Sequence, residues 1–395
     1  MSAAAVPFEL GINYWPRRRA MYMWRELDLG EVRDEFAHIA DMGFDTVRLF
    51  TLAQDFLPER ETVDAGMVGR LVEVARVAQE AGLSIVPTLI VINMSGIIWW
   101  PAWMLTADGT PDDLYAEPSV VRSQTLLAGA CASALAGAAS VRAIDIANEI
   151  DDAQRPASRD AACAWTSAMA RAIRRAAPGL PVRIGAHLPS LTTENHMRID
   201  DLASHLDEDV MHAYPLYSKY ARSFLDPELV PFACVLTAGL SGKSRAPLMQ
   251  EFGLCTAPKG ARGSSITDDF LGQPRTQYLA SEEEGATYHE SVVNRLVQTG
   301  AGGAYAWCYA DYDADLFARP PLNSAIRERT FGLVRADGTE KPAAQVFRRL
   351  RQRRDAGDLA RGEVPAVLDV SADEYYRCPA AHFERLYAQW VAEHA

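Results

Sequence analysis

The sequence predicts an α/β protein built as one (β/α)8 TIM barrel with a short C-terminal appendage. Short apolar or β-branched runs alternate with longer segments of helical periodicity, and eight such pairs can be counted along the chain. A chain of 395 residues with 49% hydrophobic content is long enough to bury one large core. No G-x-G-x-x-G turn follows the first run, which argues against an open, doubly wound sheet.

The predicted strands and helices follow one another in regular order. The eight predicted strands cover residues 8–13, 46–50, 84–90, 143–147, 182–186, 210–214, 247–252 and 304–308. The clearest predicted helices between them cover residues 29–42, 65–81, 118–139, 158–177, 227–240 and 282–299. Gly43 and Gly82 directly follow the first two helices, where a left-handed residue commonly ends a helix.

The C-terminal part of the chain is predicted to complete the barrel and then to leave it. The Asp337-Gly338 turn leads into a basic amphipathic helix that ends near Arg354 and is expected to close the outer ring. We therefore predict a barrel domain over residues 1–355 and a tail over residues 356–395 that packs on it. The tail contains a β-like run at 366–370 and a helix from about Ala380 to Glu393.

Composition excludes several classes of function. Acidic residues outnumber basic ones by 52 to 39, so the net charge of −13 disfavours nucleic acid and anionic membranes as partners. The N-terminus has no signal-peptide pattern, and no apolar run reaches the ~18 residues of a membrane span. The six cysteines form no C-x-x-C pair, which favours a reducing compartment. We expect a cytoplasmic protein, and the sequence leaves a homo-oligomer open.

Two acidic residues stand at the ends of predicted strands. Glu149 comes just after strand four and Glu251 lies at the end of strand seven. Either residue alone is weak evidence, because a glutamate in a surface loop is common. In a closed parallel barrel, however, both carboxylates would face the crater at the C-terminal rim. Paired carboxylates at that position predict glycoside hydrolysis.

Other polar and aromatic residues at strand ends fit the same crater. Arg48 lies in an otherwise apolar strand, so its buried charge needs an acid partner, for which Glu251 is the candidate. His212 and Tyr214 share one face of strand six, because side chains alternate along a strand. Trp307 in strand eight is a candidate platform for a sugar ring. Ordinary core packing is the alternative for the last three residues.

Taken in their order along the chain, the motifs resemble those of the retaining glycoside hydrolases of clan A. Within this clan, the resemblance is to the family-5-like group of cellulases, mannanases and β-mannosidases. The resemblance spans roughly residues 8–350. It rests on Gly-Ile-Asn-Tyr-Trp-Pro at strand one, Val-Arg-Leu-Phe at two, Asn-Glu at four, His-Ala-Tyr-Pro at six, Glu-Phe-Gly at seven and Trp307 at eight. It implies that Glu149 is the general acid/base, that Glu251 is the nucleophile and that Asn148 binds the sugar 2-hydroxyl.

The resemblance also implies supporting roles. Arg48 and Tyr214 would contact the nucleophile, His212 would orient the acid/base, and Trp307 would carry the sugar. Where such enzymes often have a histidine after strand three, this chain has Asn93, which we expect to take that polar role.

Two further tryptophans are predicted to contact the sugar. Trp15 belongs to the strand-one motif, and Trp100 lies in a long loop at 93–117. Together with the loops at 254–281 and 309–322, that loop is expected to wall the crater into a pocket.

The expected activity is hydrolysis of β-mannosides or β-glucosides by double displacement, with the pKa of Glu149 raised by the neighbouring negative charge. A walled pocket favours exo action on a small carbohydrate substrate. The alternatives are an endo-acting β-mannanase or glucanase and a non-catalytic carbohydrate-binding barrel. An aldolase or a metal-dependent hydrolase would want a strand-end lysine or clustered histidines, which the sequence does not display. We expect neither a metal nor a cofactor.

Overall fold

The barrel is built from one sheet in which all hydrogen-bonded neighbours run parallel. The computed structural model describes residues 7–270 and 272–394, so residues 1–6 of the predicted barrel domain and residue 395 of the predicted tail lie outside the described residues. The strands are β1 (Glu9–Asn13), β2 (Thr46–Leu52), β3 (Ser84–Val91), β4 (Ile144–Asn148), β5 (Val182–Gly185), β6 (Val210–His212), β7 (Leu248–Phe252) and β8 (Gly303–Ala306).

The sheet closes next to two histidines. Its order is β5-β4-β3-β2-β1-β8-β7-β6, which leaves β5 and β6 at the two edges. A parallel bridge between His187, just after β5, and His212, the last residue of β6, joins these edges. There the amide of His212 donates to the carbonyl of Ala186 at 2.8 Å, and the amide of Leu188 donates to the carbonyl of His212 at 3.0 Å. The predicted (β/α)8 barrel is confirmed.

An outer layer of helices covers the sheet. The helices are α1 (Leu29–Asp41), α2 (Ala65–Glu80), α3 (Pro118–Leu135), α4 (Arg159–Ala176), α5 (Ile199–His205), α6 (Leu229–Ser241), α7 (Glu282–Gln298) and α8 (Pro342–Asp355). Their apolar sides supply the core outside the sheet; in α1, for example, Phe36 packs edge-on against Tyr14 with ring centroids 5.0 Å apart. Gly43 and Gly82 have φ angles of 95° and 72°, as expected of residues that end helices.

Several segments differ from the prediction. β6 ends at His212, so Tyr214 lies beyond the strand. The predicted loop at 254–281 contains an antiparallel hairpin, Ser264–Phe270 with Gln273–Leu279. A smaller hairpin, Asn93–Met94 with Ile97–Ile98, begins the loop after β3. The β-like run at 366–370 is not a strand, because no described strand pairs with its backbone.

The C-terminal tail lies against the barrel on the side of α6. It ends in the tail helix, Pro379–His394, which buries Phe383, Leu386, Tyr387 and Trp390. The Tyr387 hydroxyl donates to Asp226 at 2.6 Å, and Trp390 Nε1 donates to Glu228 at 2.9 Å. Both acceptors precede α6, so hydrogen bonds as well as apolar packing fix the tail. Among the described helices, none is long and apolar enough to cross a membrane.

Candidate active site

A cavity of about 520 Å³ opens at the C-terminal ends of the barrel strands. Most of the predicted site residues line it: Asn93, Asn148, Glu149, His212, Tyr214, Glu251 and Trp307. Arg48 is fully buried and contacts Asn148 and Glu251. The fold thus brings residues from β2, β4, β6 and β7 and from the segments after β3 and β8 to one place, as expected at this end of a parallel barrel.

Glu251 is held by donors on both of its carboxylate oxygens. Arg48 Nη1 donates a short hydrogen bond to Oε1, and the Tyr214 hydroxyl donates to Oε2 at 2.8 Å. Burial, together with the negative charges of Glu251 and Glu149, raises the pKa of Tyr214 well above its ordinary value, so the phenol keeps its proton and remains a donor. Arg48 therefore has the acid partner that the sequence predicted, and also a second one, Asp145, at 2.9 Å.

The amide of Asn148 is oriented by the same network. Its Oδ1 accepts from Arg48 Nη2 at 2.9 Å, and its Nδ2 donates to the backbone carbonyl of Asn93 at 3.2 Å. The side chain of Asn93 reaches further, with Nδ2 at 3.3 Å from both Glu149 Oε2 and Asp152 Oδ2. Asn93 therefore contacts the candidate acid/base directly.

A proton is shared between Glu149 and His212. Gln250 donates from Nε2 to Asp145 at 3.2 Å, which directs its Oε1 toward His212 Nε2 at 3.0 Å. His212 Nε2 must therefore carry hydrogen. The 2.9 Å contact between His212 Nδ1 and Glu149 Oε1 then also needs a proton, on the carboxyl group or on the imidazole. In either form, the pair holds a proton that faces the cavity.

The backbone at Glu149 directs this side chain into the cavity. Its φ of 41° and ψ of 46° are left-handed, a conformation that costs a non-glycine residue about 1–3 kcal/mol. The Glu149 amide donates to the carbonyl of Gly185 at 3.0 Å. Gly185 also leaves space for the network, since a Cβ there would lie 2.8 Å from His212 and 2.9 Å from Arg48. Tightly packed neighbours thus hold Glu149 in a strained conformation.

A second group of polar residues surrounds Glu149, and sequence reasoning missed it. His187 Nε2 lies 2.9 Å from Asp151 Oδ2, to which Asn195 Nδ2 also donates at 2.6 Å. His187 Nδ1 lies 3.9 Å from Glu149 Oε1 and 3.8 Å from Asp152 Oδ2. The sequence does contain a signal, because His187 follows strand five and Asp151 and Asp152 lie two and three residues after Glu149. Nothing in the sequence, however, shows that these residues meet.

The pKa of Glu149 is lowered, contrary to the sequence-based expectation. Burial would raise it, but the charges of His187 and His212 and the hydrogen bond between Glu149 and His212 outweigh burial. The expected raised value considered only the negative charge of Glu251.

His187 and Asp152 also have shifted pKa values. Burial would lower the pKa of His187, but Asp151, Asp152 and Glu149 together raise it well above its ordinary value. Burial raises the pKa of Asp152 to about 6. His187 is therefore a cation among carboxyl groups at neutral pH.

Two predicted sugar contacts do not reach the cavity. Trp15 is only 1% exposed, stacks on Phe50 at 5.5 Å and approaches Met94 Sδ through its Nε1 at 3.4 Å. Trp100 packs, partly buried, against the hydrophobic core. Neither side chain lines the cavity, because both serve the packing beneath and beside it.

The walls of the cavity also differ from the prediction. Trp99 Nε1 donates to the carbonyl of Met94 in its own loop at 3.1 Å, and Trp103 Nε1 donates to the carbonyl of Leu57, beyond β2, at 2.7 Å. Neither tryptophan lines the cavity. None of residues 309–322 lines the cavity. Its walls come from residues 93–96, the start of the predicted loop after β3, and from the segments after β5 and β6. Arg275 of the hairpin at 264–279, Arg327, Glu328 and Ala380 of the tail helix complete them.

Two histidines that are far from Glu149 in the sequence, His187 and His212, meet acidic residues around Glu149. Glu149, His212 and Glu251 form one set with ligand atoms within 4.8 Å of one another, and Glu149, Asp152 and His187 form another. Such sets have the donor types of a metal site. Hydrogen bonds and charge pairing within the network already account for these short distances. The expectation of a metal-free site remains a prediction.

Comparison with known proteins identifies the fold but no sequence relative. No protein-family profile matches the chain, and no curated protein matches it. Solved structures do match. GH5_18 from Streptomyces cattleya, in complex with GlcNAc, aligns with a TM-score of 0.82 at 22% identity, over 98% of this chain and 92% of that chain.

Two other solved structures show the same similarity. GH5_18 from Bifidobacterium longum subsp. longum aligns with a TM-score of 0.75 at 18% identity, over 90% of this chain and 81% of the other. An exo-β-1,4-mannosidase from Opitutaceae bacterium strain TAV5 aligns with a TM-score of 0.73 at 24% identity, over 89% of this chain and 60% of the other. The chain therefore has the fold of the clan A, family-5-like glycoside hydrolases, as its ordered motifs predicted.

Proposed function

We propose that the protein is a retaining, exo-acting β-glycosidase whose substrate is a β-mannoside with a short leaving group. The observation that carries this proposal is the pair of glutamates facing one cavity, with a carboxylate oxygen of Glu149 within 4.8 Å of one of Glu251. Retaining glycosidases have carboxyl groups about 5–5.5 Å apart, whereas inverting ones need about 6.5–9.5 Å to admit a water molecule.

In the first step, Glu251 attacks the anomeric carbon and forms a covalent glycosyl ester. Arg48 and the Tyr214 hydroxyl hold the attacking carboxylate in place. The bond to the leaving oxygen breaks as that oxygen takes up the proton shared by Glu149 and His212. The pair then carries one proton fewer, and the leaving alcohol departs neutral.

In the second step, the roles are reversed. Glu149 accepts a proton from a water molecule as the water oxygen attacks the anomeric carbon on the face that the leaving group vacated. The ester bond to Glu251 breaks, and the proton on the Glu149 and His212 pair is restored. Two inversions at one carbon give net retention of the β configuration.

The comparisons and the cavity support the choice of substrate. A variant of the Streptomyces cattleya GH5_18 was solved with Manβ1-4GlcNAc, and the Opitutaceae protein is an exo-β-1,4-mannosidase. A cavity of about 520 Å³ lies within the ~300–1,000 Å³ typical of small-ligand sites. Walls from the segments after β5 and β6 and from the tail helix favour a pocket over an open groove.

Hydrolysis of nitrophenyl β-glycosides tests this function. Manno, gluco, xylo and galacto donors are compared side by side, and the β-mannoside is expected to react fastest. Proton NMR of the first product should show the β-anomer before mutarotation. Initial release of the α-anomer would contradict the retaining route. Binding of a mannoside without any turnover would favour the non-catalytic barrel.

Product analysis on a β-1,4-linked mannohexaose tests exo action. A pocket should release monosaccharide and the pentamer first. Early appearance of dimers to tetramers would instead favour an endo-acting enzyme. Faster cleavage of Manβ1-4GlcNAc than of mannobiose would support a substrate with GlcNAc as the leaving group.

A further inference from the structure

His187 lines the cavity, but neither of the two steps above uses it. Asp151 accepts from its Nε2 at 2.9 Å, and Asp151 is itself fixed by Asn195 at 2.6 Å. The opposite ring nitrogen faces Glu149 at 3.9 Å and Asp152 at 3.8 Å. The ring is thus anchored on one side and presents its other nitrogen to the catalytic acid/base without a hydrogen bond to it.

We propose that His187 is a positioning residue for Glu149, and that its imidazolium, anchored by Asp151 and Asn195, sets how readily Glu149 releases and takes up its proton. This inference rests on the proposed function, because it assigns a purpose to the proton held at Glu149. It adds a residue after β5 to the machinery that the sequence motifs placed at strands two, four, six, seven and eight.

The physical reason lies in the number of negative charges around Glu149. Asp151, Asp152 and Glu251 all lie nearby, and like charges disfavour ionisation of a carboxyl group. A Glu149 that ionised too reluctantly would still donate a proton in the first step but would fail as the base in the second. One cation close to Glu149 counteracts that repulsion in both steps.

All the charged groups around His187 enter this balance. Glu149, Asp151 and Asp152 face the imidazole directly. Arg155 acts on Asp152, and the hydroxyl of Tyr115 lies in the field of both aspartates. His212 is bridged to His187 through the backbone and holds the other side of Glu149.

The loop that carries His187 and Asn195 is fixed from outside the barrel. The Tyr375 hydroxyl donates to the carbonyl of Leu191 at 2.7 Å. The Tyr376 hydroxyl donates to the carbonyl of Ser190 at 3.0 Å and accepts from the amide of Ile199 at 3.0 Å. The C-terminal tail therefore holds the segment on which the anchoring of His187 depends.

The test is the pH dependence of kcat/KM and kcat for His187→Gln on an activated aryl β-mannoside. Glutamine can still donate to Asp151 but carries no charge. Loss of a nearby cation should move the alkaline limb of kcat/KM upward by about one pH unit or more. Where hydrolysis of the glycosyl-enzyme limits turnover, the acidic limb of kcat should move upward too, since the base must ionise.

Two further variants separate this role from a merely structural one. His196→Gln makes the same substitution in the same loop, at a side chain that does not line the cavity, and both limbs should stay in place. Asp151→Asn removes the anchoring charge, but it also removes a negative charge that raises the pKa of Glu149, so the limbs should move much less than in His187→Gln. A uniform loss of rate in His187→Gln with unmoved limbs would overturn the inference.

A measurement without substrate keeps the inference testable if no donor is hydrolysed or if His187→Gln does not fold. Long-range ¹H–¹⁵N spectra of the histidine rings of the intact protein, assigned with Asp151→Asn and His196→Gln, report the charge of His187. Both of its ring nitrogens should be protonated at pH 7.5. A neutral ring at that pH overturns the inference, whereas failure of all donors overturns only the proposed function.

Discussion

Both ends of the barrel bury a guanidinium group among acids, but in different ways. At the C-terminal end, Arg48 contacts Asp145 and Glu251. At the N-terminal end, Arg183 of β5 is equally buried and contacts Glu208 at 3.2 Å. Composition alone does not distinguish these clusters, since each pairs fully buried arginine with carboxylates in the interior of one sheet.

The difference lies in what the carboxylates face. Glu208 meets three guanidinium groups, those of Arg142, Arg183 and Arg245 at 2.9, 3.2 and 2.7 Å, and its side chain is only 2% exposed. The side chain of Glu149 is 17% exposed, and it faces a cavity and shares a proton with His212. Acids surrounded by cations stabilise the barrel, whereas acids with one side facing a cavity can react.

The most direct test of this comparison is to remove one acid from each end of the barrel. Glu251→Ala removes the proposed nucleophile and should lower kcat/KM by on the order of 10⁴-fold or more. Added azide should restore turnover of an activated aryl glycoside and give the α-glycosyl azide, because the cavity left by the side chain admits an external nucleophile. Wild-type rates in this variant would remove Glu251 from the mechanism.

Glu149→Ala should give the next largest effect, and its size should depend on the leaving group. A poor leaving group needs protonation, so its cleavage should slow by about 10²–10⁴-fold. A good leaving group departs unaided, after which slow hydrolysis of the ester should give a burst in a stopped-flow trace. Equal slowing for both classes, without a burst, would place the acid/base elsewhere.

At the opposite end, Glu208→Gln should affect stability and leave catalysis alone. Removing one partner of a buried ion pair costs about 3–5 kcal/mol, so Tm should fall by several degrees while kcat/KM at 25 °C stays within about twofold of the wild type. A large loss of activity at 25 °C would show that the two ends are coupled and would break the comparison.

Lowering the pH should reveal the same contribution of Glu208 to stability. Burial would raise the pKa of Glu208, but Arg183, Arg142 and Arg245 outweigh burial and lower it. A lowered folded-state pKa stabilises the protein fully above the ordinary value of 4.5, and this stability is lost as the pH falls through the folded value. Between pH 6 and 3, Tm should therefore drop less in Glu208→Gln than in the wild type.

The sequence predicts which residues meet at the C-terminal end of the barrel where topology dictates their position. Once eight parallel strands are counted, Glu149, Glu251 and Arg48 must meet at one rim, because strand ends converge there. The positions of residues in loops do not follow from the strand order. Trp15 and Trp100 turn into the packing, and His187 meets Asp151 through a loop whose path depends on the tail. The predicted direction of the Glu149 pKa shift was wrong for the same reason, because the lowering of this pKa depends on His187.

The smallest expected effect concerns that tail. Tyr376→Phe removes a hydroxyl that bonds Ser190 and Ile199, leaving a buried carbonyl and a buried amide unpaired at a cost of about 1–3 kcal/mol. Tyr387→Phe is the matched control. Tyr387 belongs to the same tail, but its hydroxyl donates to Asp226, and neither residue lines the cavity.

Both tyrosine variants should lower Tm by a few degrees, but only Tyr376→Phe should reduce kcat/KM, by less than about tenfold, since it alone loosens the loop that carries His187. Its alkaline limb should also move upward slightly, because His187 is held less firmly beside Glu149. Equal kinetics in the two variants, with equal losses of Tm, would show that the tail only stabilises the fold, as the cluster around Glu208 does.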